Sequence, residues 1–199
     1  MAHRLLCTLP LALALLASPA AAQLGPDPVV DPGTTPDPTV PVEVDASDLE
    51  TARLLLSAHH GIPDADAFTG ALDAPVPALR VLATDEDVFP LYRQRALSAL
   101  GYWPDAWLGD ELARLATDPA SGDLLQHHAV LLLARLYPEQ STPVVRAWLD
   151  DDDVQRRLTA IEAVDAFGSD TLRTALEDRM TIEPSPVVVE RIEEALELR

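Results

Sequence analysis

The chain contains no lysine and no asparagine, and it has a single cysteine among its 199 residues. That cysteine, Cys7, lies in the N-terminal apolar segment described below, so the rest of the chain can form neither a disulfide nor a thiolate metal site. Lysine and asparagine codons are rich in adenine. Their joint absence from a chain rich in arginine, alanine and aspartate therefore indicates a GC-rich genome, and we expect a bacterial protein.

Positive charge is scarce as well, with 14 basic against 33 acidic residues and a formal net charge of −19. The negative electrostatic potential of such a protein repels phosphate backbones and anionic lipid headgroups. We therefore expect no nucleic-acid partner. Acidity alone is more typical of a soluble surface than of a specific ligand.

Motifs that carry chemistry are also missing, since the sequence has no nucleophile elbow and no glycine-rich phosphate loop. Histidine pairs occur at 59–60 and 127–128, but adjacent side chains on a helix diverge by about 100° and cannot chelate one metal. We expect one histidine of each pair at a packing edge and the other in solvent. Asp150–Asp153 could bind a cation, although a solvated loop that caps the next helix is favoured. The sequence thus predicts no catalytic, cofactor-binding or metal-binding residue, and no cofactor.

The first 22 residues have the parts of a secretory signal. A basic start at Arg4 is followed by an apolar run centred on Leu11–Leu16 and by the small residues Ala20–Ala22. This pattern predicts a signal peptide over 1–22, cleaved before Gln23. The apolar run is shorter than the roughly 20 residues that span a bilayer. We therefore expect a periplasmic or secreted protein that is not inserted in the membrane after cleavage.

Residues 23–46 contain six prolines and four aspartates. Proline has no amide donor and like charges repel, so a segment of this composition cannot build a core. We interpret it as a disordered linker that precedes the folded domain.

An apolar stripe recurs along the rest of the chain. It occupies positions i, i+3, i+4 and i+7 of a helix, which form one face. Its copies are Ala96, Ala99, Leu100 and Trp103; Ala129, Leu132, Leu133 and Leu136; Ala160, Ala163, Val164 and Phe167; and Ile192, Ala195 and Leu196. Successive copies are 33, 31 and 32 residues apart, and a fixed period of this size is typical of stacked repeats. We predict an all-α fold over 47–199, an α-solenoid of about nine helices arranged as antiparallel pairs with a period of about 32 residues.

Helix boundaries follow from local signals. Ser47 opens a capping box that predicts a further stripe helix to about His60, followed by an insertion over 61–73. Pro90, Thr142-Pro143 and Ser185-Pro186 each indicate a helix start. The second kind of helix, which precedes each stripe, is predicted near 74–84, 105–117, 142–149 and 170–180.

Two stripe helices differ from the others. The segment Leu124–Leu136 is apolar nearly all round, which indicates the central and most buried helix. The last helix carries Glu190, Glu193, Glu194 and Glu197 as one charged face, as a terminal repeat needs on its solvent side.

The pattern R-x-x-A-x-x-A-L after an aspartate-containing loop occurs in Asp87–Leu100 and, with valine last, in Asp153–Val164. It resembles bacterial HEAT repeats, in particular the short type also found in phycobilin-lyase-like HEAT proteins, over about 47–199. Tetratricopeptide repeats have a similar period but a different motif around their Leu-Gly pair. The resemblance implies architecture and a protein partner, and we do not transfer lyase activity from it.

Our functional interpretation is an exported, non-catalytic scaffold for protein–protein interaction. An accessory or regulatory subunit of an envelope enzyme complex and a structural envelope protein remain open alternatives. By resemblance, the helices of the second kind are expected to line the concave face. There Arg114, Arg146 and Arg173 could form a column that binds an acidic partner segment, with Trp148 as an anchor. Pairing of each arginine with an acidic residue on its own helix is the alternative.

Overall fold

The computed structural model describes residues 44–58 and 61–197. The predicted signal peptide, residues 23–43 of the predicted linker, and the histidine pair at 59–60 lie outside the described residues, so these predictions stay untested.

The described residues form ten α-helices, one short 3-10 turn and no strand, which confirms the all-α prediction. The helices are α1 (Ala46–Leu56), α2 (Ala65–Ala71), α3 (Pro75–Thr84), α4 (Pro90–Leu100), α5 (Ala106–Thr117), α6 (Asp123–Leu136), α7 (Pro138–Leu149), α8 (Val154–Phe167), α9 (Asp170–Met180) and α10 (Pro186–Glu197). The 3-10 turn covers Pro119–Ser121.

The helices stack in two rows. The stripe helices α1, α4, α6, α8 and α10 follow one another in one row, while α5, α7 and α9 follow one another in the second row. Across the rows α3 packs on α4, α5 on α6, α7 on α8 and α9 on α10. This arrangement is an α-solenoid, as the repeat period predicted.

The stripes form the core between the rows. Their first three positions are buried in the copies on α4, α6 and α8, with at most 4% of each residue exposed, whereas on α10 Ile192 and Ala195 are buried and Leu196 is half-buried. The fourth position is different, because Trp103 and Leu136 are only half-buried and Phe167 is 39% exposed. Phe167 is the last residue of α8 and its side chain is exposed, so its predicted place in the core was wrong.

In three of the repeats, a polar residue three positions before the first stripe alanine forms a hydrogen bond to the preceding helix or its C-terminal loop. Arg93 Nε donates to Ala83 O at 3.1 Å, at the end of α3. Gln126 Nε2 donates to Asp118 O at 2.7 Å, and Arg157 Nη1 donates to the carbonyls of Asp151 and Asp152 at 2.8 and 2.9 Å. Each bond satisfies a carbonyl at or just beyond a helix end, where no intrahelical donor remains. The repeated polar position therefore ties the C-terminal end of one helix to the next helix of its pair.

Several predicted helix boundaries were wrong. Helix α1 begins at Ala46 and is capped by Asp45, whose Oδ1 accepts from Ser47 N at 2.9 Å, so Ser47 is not the cap. The helix ends at Leu56 rather than near His60. The insertion is not simply a connection, since it forms α2, and its Phe68 is fully buried with its ring edge-on to Trp103 at 6.5 Å.

The start of α7 was also misplaced. Proline at the first helical position is Pro138, and Pro143 lies inside the helix on an exposed position. A proline in the second turn removes a single intrahelical hydrogen bond, so a helix that buries Val144, Val145 and Leu149 can include it. The predicted starts at Pro90 and Pro186 are confirmed.

The predicted roles of α6 and α10 are confirmed. Helix α6 packs against α4, α5, α7 and α8, and half of its fourteen residues are buried. On α10, Glu190, Glu193 and Glu194 are exposed. The side chain of Glu197 lies outside the described residues.

Candidate functional site

A cavity lies along the stripe row. It has a volume of about 490 Å³ and is lined by side chains of α4, α6 and α8 together with Trp148 of α7. The lining residues are Gln94, Asp123, Leu124, Gln126, His127, His128, Leu131, Trp148, Asp153, Gln155, Arg156 and Thr159.

A second cavity of about 430 Å³ adjoins the first and shares His128 and Leu131 with it. Its other lining residues are Ile62, Ser98, Tyr102, Leu132, Arg135, Glu162, Ala166 and Phe167. We call the two cavities together the α6 groove: its floor is the outer face of α6 from Leu124 to Arg135, and its walls are α4 and α8. Three apolar side chains are exposed along it, with Leu124 at 49%, Tyr102 at 44% and Phe167 at 39%. This combination of concavity, apolar surface and a few polar groups is typical of a binding site.

His128 lies at the middle of the groove and is held by α4. Its Nε2 is 2.8 Å from Ser98 Oγ and its Nδ1 is 3.2 Å from Gln94 Nε2. An amide nitrogen can only donate, so Nδ1 is the unprotonated nitrogen and Nε2–H donates to the serine. Burial, together with the positive charge of Arg135 and the neighbouring His127, lowers the pKa of His128 to about 4. The ring is therefore neutral at physiological pH and fixes α4 against α6.

We expect this histidine to make the domain sensitive to mild acid. The pKa of His128 is lower in the folded chain than its ordinary value of 6.5. Its contribution to stability is therefore complete above pH 6.5 and is lost as the pH falls toward 4. Between pH 7 and pH 5 the loss amounts to about 2 kcal/mol, or a fall in Tm of about 4–8 °C for a domain of this size. Thermal melts at the two pH values measure it.

The His128→Gln variant should lose most of this fall in Tm, because glutamine keeps a polar group beside Ser98 and does not titrate. The matched control is His127→Gln, which removes the exposed neighbour and only the smallest cause of the lowered pKa, so most of the fall in Tm should remain. An equal pH response in wild type and His128→Gln would show that another group is responsible.

Three neighbouring side chains of α6 and α8 superficially resemble a catalytic triad. In such a triad Thr159 would be the nucleophile, His127 the base and Glu162 the acid. Thr159 Oγ1 is 2.5 Å from His127 Nδ1, and His127 Nε2 is 3.8 Å from Glu162 Oε2. The single hydroxyl proton of Thr159, however, is donated to Gln155 O at 2.9 Å, so the hydroxyl accepts from His127. Thr159 is also only 1% exposed. These contacts therefore orient His127 on the floor of the groove and do not present a nucleophile to solvent.

The histidine pair behaves as the sequence predicted, with His128 at a packing edge and His127 exposed. No group of three potential ligands that could hold a metal occurs within 44–58 and 61–197. The predicted solvated loop at Asp150–Asp153 caps α8, because Asp153 Oδ1 accepts from Gln155 N at 2.7 Å.

Arg156 lines the first cavity, and its guanidinium group is paired with neighbouring side chains. Its Nη1 donates to Asp151 Oδ2 at 2.9 Å and its Nη2 donates to Gln126 Oε1 at 3.1 Å. The guanidinium carbon also lies 5.5 Å from the ring centre of Trp148. Burial alone would raise the pKa of Asp151, but hydrogen bonds from Asp153 N and Arg156 outweigh it and the pKa is lowered. Arg156 and Asp151 are thus both ionised, and their opposite charges cancel.

The predicted arginine column is not present as three free guanidinium groups. Arg114 donates to both carboxylate oxygens of Glu111, at 2.8 and 2.6 Å, and to Asp118 at 3.3 Å. The bond to Glu111 raises the pKa of Arg114. Pairing on its own helix, the alternative that the sequence left open, is what this arginine does.

The other two predicted residues differ from Arg114 and from each other. Arg146 is exposed on α7, beside a cavity of about 320 Å³ that Asp150 and Asp178 also line. Arg173 is half-buried on α9, and its Nη2 has no hydrogen-bond partner among the described residues. These two residues remain candidates for binding, but the structure does not join them to Arg114.

Trp148, predicted as an interface anchor, is only 5% exposed. Its Nε1 donates to Ala116 O at 3.2 Å, which ties α7 to the end of α5. The residue therefore lies under the first cavity as part of its wall rather than projecting from the surface.

The prediction of the concave face used the expectation that, in HEAT-like stacks, the second helix of each pair lines it, but the arginine-bearing helix is the first of its pair. Helices α3, α5 and α7 pack on the stripe helices that follow them, so the stripe helix comes second. The rule that the second helix lines the concave face therefore points to the row of α4, α6 and α8, where the α6 groove lies. The stripe helices also make the closer contacts with one another along their row. The sequence prediction missed the groove for this reason, although the unusual apolar run on α6 was a usable signal.

The fold defines a stacked helical repeat protein, and the comparisons name the repeat. The family model for HEAT repeats matches residues 112–197, from within α5 to the end of α10. Residues 112–197 are therefore similar to HEAT repeats, as the sequence motif indicated. No curated protein and no solved structure matches the chain. HEAT repeats generally mediate protein–protein interaction.

None of the helices within 44–58 and 61–197 has the length and apolar character needed to cross a membrane.

Proposed function

We propose that the chain is an exported, non-catalytic scaffold that binds a partner protein in the α6 groove. The observation that carries this proposal is the groove itself, in which Leu124, Tyr102 and Phe167 are exposed beside polar side chains on the stripe row. Apolar side chains exposed together in a concavity lose water when a partner covers them, and this is the main favourable term in protein association. The family supports a protein as the partner, since HEAT repeats typically act as scaffolds.

Export is the second part of the proposal, and it rests on the sequence of residues 1–22. Its basic start, short apolar run and final Ala20–Ala22 are the parts that signal peptidase substrates share. The proposed site of action is the bacterial periplasm or the cell exterior. Intact-mass analysis of exported material should give a chain that begins at Gln23, whereas a mass that includes the first 22 residues would contradict the proposal.

The binding surface is tested by capture of partners from the native envelope fraction with the tagged chain as bait. We expect Leu124→Ser combined with Tyr102→Ser to lower recovery of the specific partner at least tenfold, because both side chains are exposed in the groove. The matched control combines Leu54→Ser and Phe89→Ser, which change a leucine and an aromatic residue exposed elsewhere, at 72% and 66%. Thermal melts establish that all variants fold.

Unchanged recovery with the groove variant would contradict this assignment of the surface. A loss seen instead with Arg114→Glu and Arg146→Glu would place binding on the second row, as the sequence first suggested. A stoichiometric enzyme among the specific partners would select the accessory-subunit alternative.

A further inference from the structure

The two ends of the α6 groove carry different charge. At the first end, Asp123 and Asp153 line the cavity, and both are exposed. Asp123 is the first residue of α6, and Asp153 caps α8 through one carboxylate oxygen. Neither carboxylate forms an ion pair with any described residue. The only arginine in this wall, Arg156, is already neutralised by Asp151, so the uncompensated charge at this end is negative.

The other end of the groove lacks this excess of negative charge. Arg135 is exposed there and has no ion-pair partner among the described residues, while Glu162 faces His127. The two ends of the groove therefore differ in charge. Carboxylates lie at the N-terminal end of α6, and a free guanidinium group lies at its C-terminal end. From Leu124 to Arg135 the floor is twelve residues long, and the rise of 1.5 Å per residue between its ends gives roughly 16 Å.

The apolar floor between the ends is suited to long amphipathic side chains. Leu124 is half exposed at the edge of the acidic cavity and Leu131 is half-buried in the middle. Lysine and arginine place their aliphatic stems on apolar surface and keep their charged ends in polar surroundings. Leu124 can receive such a stem, and Asp123 and Asp153 can receive its charge.

We infer that the α6 groove receives an amphipathic helix of the partner protein, with a lysine or arginine against Asp123 and Asp153. The inference rests on the proposed function and adds the chemistry and direction of the partner segment. A helix of about three turns spans the floor and presents one apolar face to it. A carboxylate at its far end would meet Arg135. The formal charge of −19 favours the encounter with a basic segment over an acidic one.

The test is selection from a displayed library of 16-residue amphipathic helices with randomised polar positions, using the purified exported chain at physiological salt. Clones that still bind the Leu124→Ser, Tyr102→Ser variant are removed. We expect the remaining peptides to be enriched in lysine and arginine at one end. With labelled synthetic copies, Asp123→Asn combined with Asp153→Asn should raise Kd at least tenfold, and asparagine at 153 retains the helix cap.

The matched control is Asp64→Asn combined with Asp66→Asn. These residues are the cap and a first-turn acid of α2, so the control removes the same charge from equivalent helix positions outside the groove. Its Kd should change by no more than about twofold, since a distant exposed charge is screened by salt.

Equal weakening by both double variants would show general charge attraction and overturn the inference. Groove-dependent peptides that are acidic or neutral and insensitive to Asp123→Asn with Asp153→Asn would also overturn it, while the proposed binding function would stand. Failure to recover any groove-dependent peptide would overturn both the inference and the assignment of the groove.

Discussion

Leu133→Asp is expected to abolish folding of the domain. Leu133 lies in the central helix α6 and is fully buried. Loss of a buried leucine alone costs about 2–5 kcal/mol, and an unpaired carboxylate in its place adds a penalty of several kcal/mol more. The total is comparable with the roughly 5–15 kcal/mol that stabilises a whole domain. Circular dichroism at 25 °C should show loss of most helical signal and no cooperative melt.

The matched control is Leu54→Asp, which makes the same chemical change on α1 where the side chain is 72% exposed. It should retain the wild-type spectrum and melt within a few degrees of wild type, because exposed substitutions usually change stability by less than about 0.5 kcal/mol. A cooperative melt of Leu133→Asp near the wild-type temperature would contradict the burial of the stripe.

The repeat architecture was predictable because it depends on local periodicity. Apolar residues at helical spacing can be recognised in the chain, and their recurrence requires neighbouring helices to cover one another's faces. The first three stripe positions were therefore assigned to the core correctly on α4, α6 and α8, while on α10 Leu196 is only half-buried. The predicted burial of Phe167 was wrong, because burial of a side chain at the end of a helix depends on whether a neighbouring helix extends that far.

Helix ends were less predictable because several residues can satisfy the same backbone groups. Asp45 and Ser47 are both good caps, and the structure uses the aspartate. Pro138 and Pro143 both fit a first helical turn, and burial of the apolar face of α7 rather than proline preference determines the outcome. The sequence alone does not weigh such local signals against packing.

The candidate site was mostly beyond sequence reasoning. Single residues such as Arg114 were identified, but whether their charge is free depends on partners a turn away, here Glu111 and Asp118. The α6 groove is formed by α4, α6 and α8, each about 32 residues from the next, and its volume depends on how far these helices are separated. Such a feature follows from the packing of rows, for which the sequence contains no local pattern.

A buried ionic cluster at the junction of α8, α9 and α10 was not predicted at all. The side chain of Glu183 is fully buried and accepts from Arg157 Nη2 at 2.9 Å and from Arg179 Nε at 2.8 Å. Its Oε1 also accepts from Ser185 N at 3.0 Å. Burial alone would raise the pKa of Glu183, but these hydrogen bonds and the arginine charges outweigh it and lower the pKa. The glutamate is therefore ionised and joins the turn before α10 to α8.

We expect Glu183→Ala to destabilise the domain by about 3–5 kcal/mol, because it leaves the charge of Arg157 buried without a carboxylate. The side chain of Arg157 is only 5% exposed and retains just its bonds to backbone carbonyls, whereas Arg179 can still pair with Asp150 at 3.6 Å. Urea or thermal unfolding of the purified chain measures the loss.

Two further variants separate the buried charge from simple loss of contacts. Glu183→Leu combined with Arg157→Leu should recover part of the stability, because apolar residues that replace both partners of a buried ion pair are often tolerated, while the carbonyls of Asp151 and Asp152 lose their donor. Glu194→Ala, which removes an exposed partner of Arg191 at 3.2 Å, should cost less than about 1 kcal/mol. The pKa of Glu183 is lowered on folding, so its contribution is present above the ordinary glutamate pKa of 4.5 and is lost as the pH falls below it. Acidification should therefore destabilise wild type more than the double leucine variant, and a parallel response of the two proteins would show that this cluster does not hold α10 to α8 through its charge.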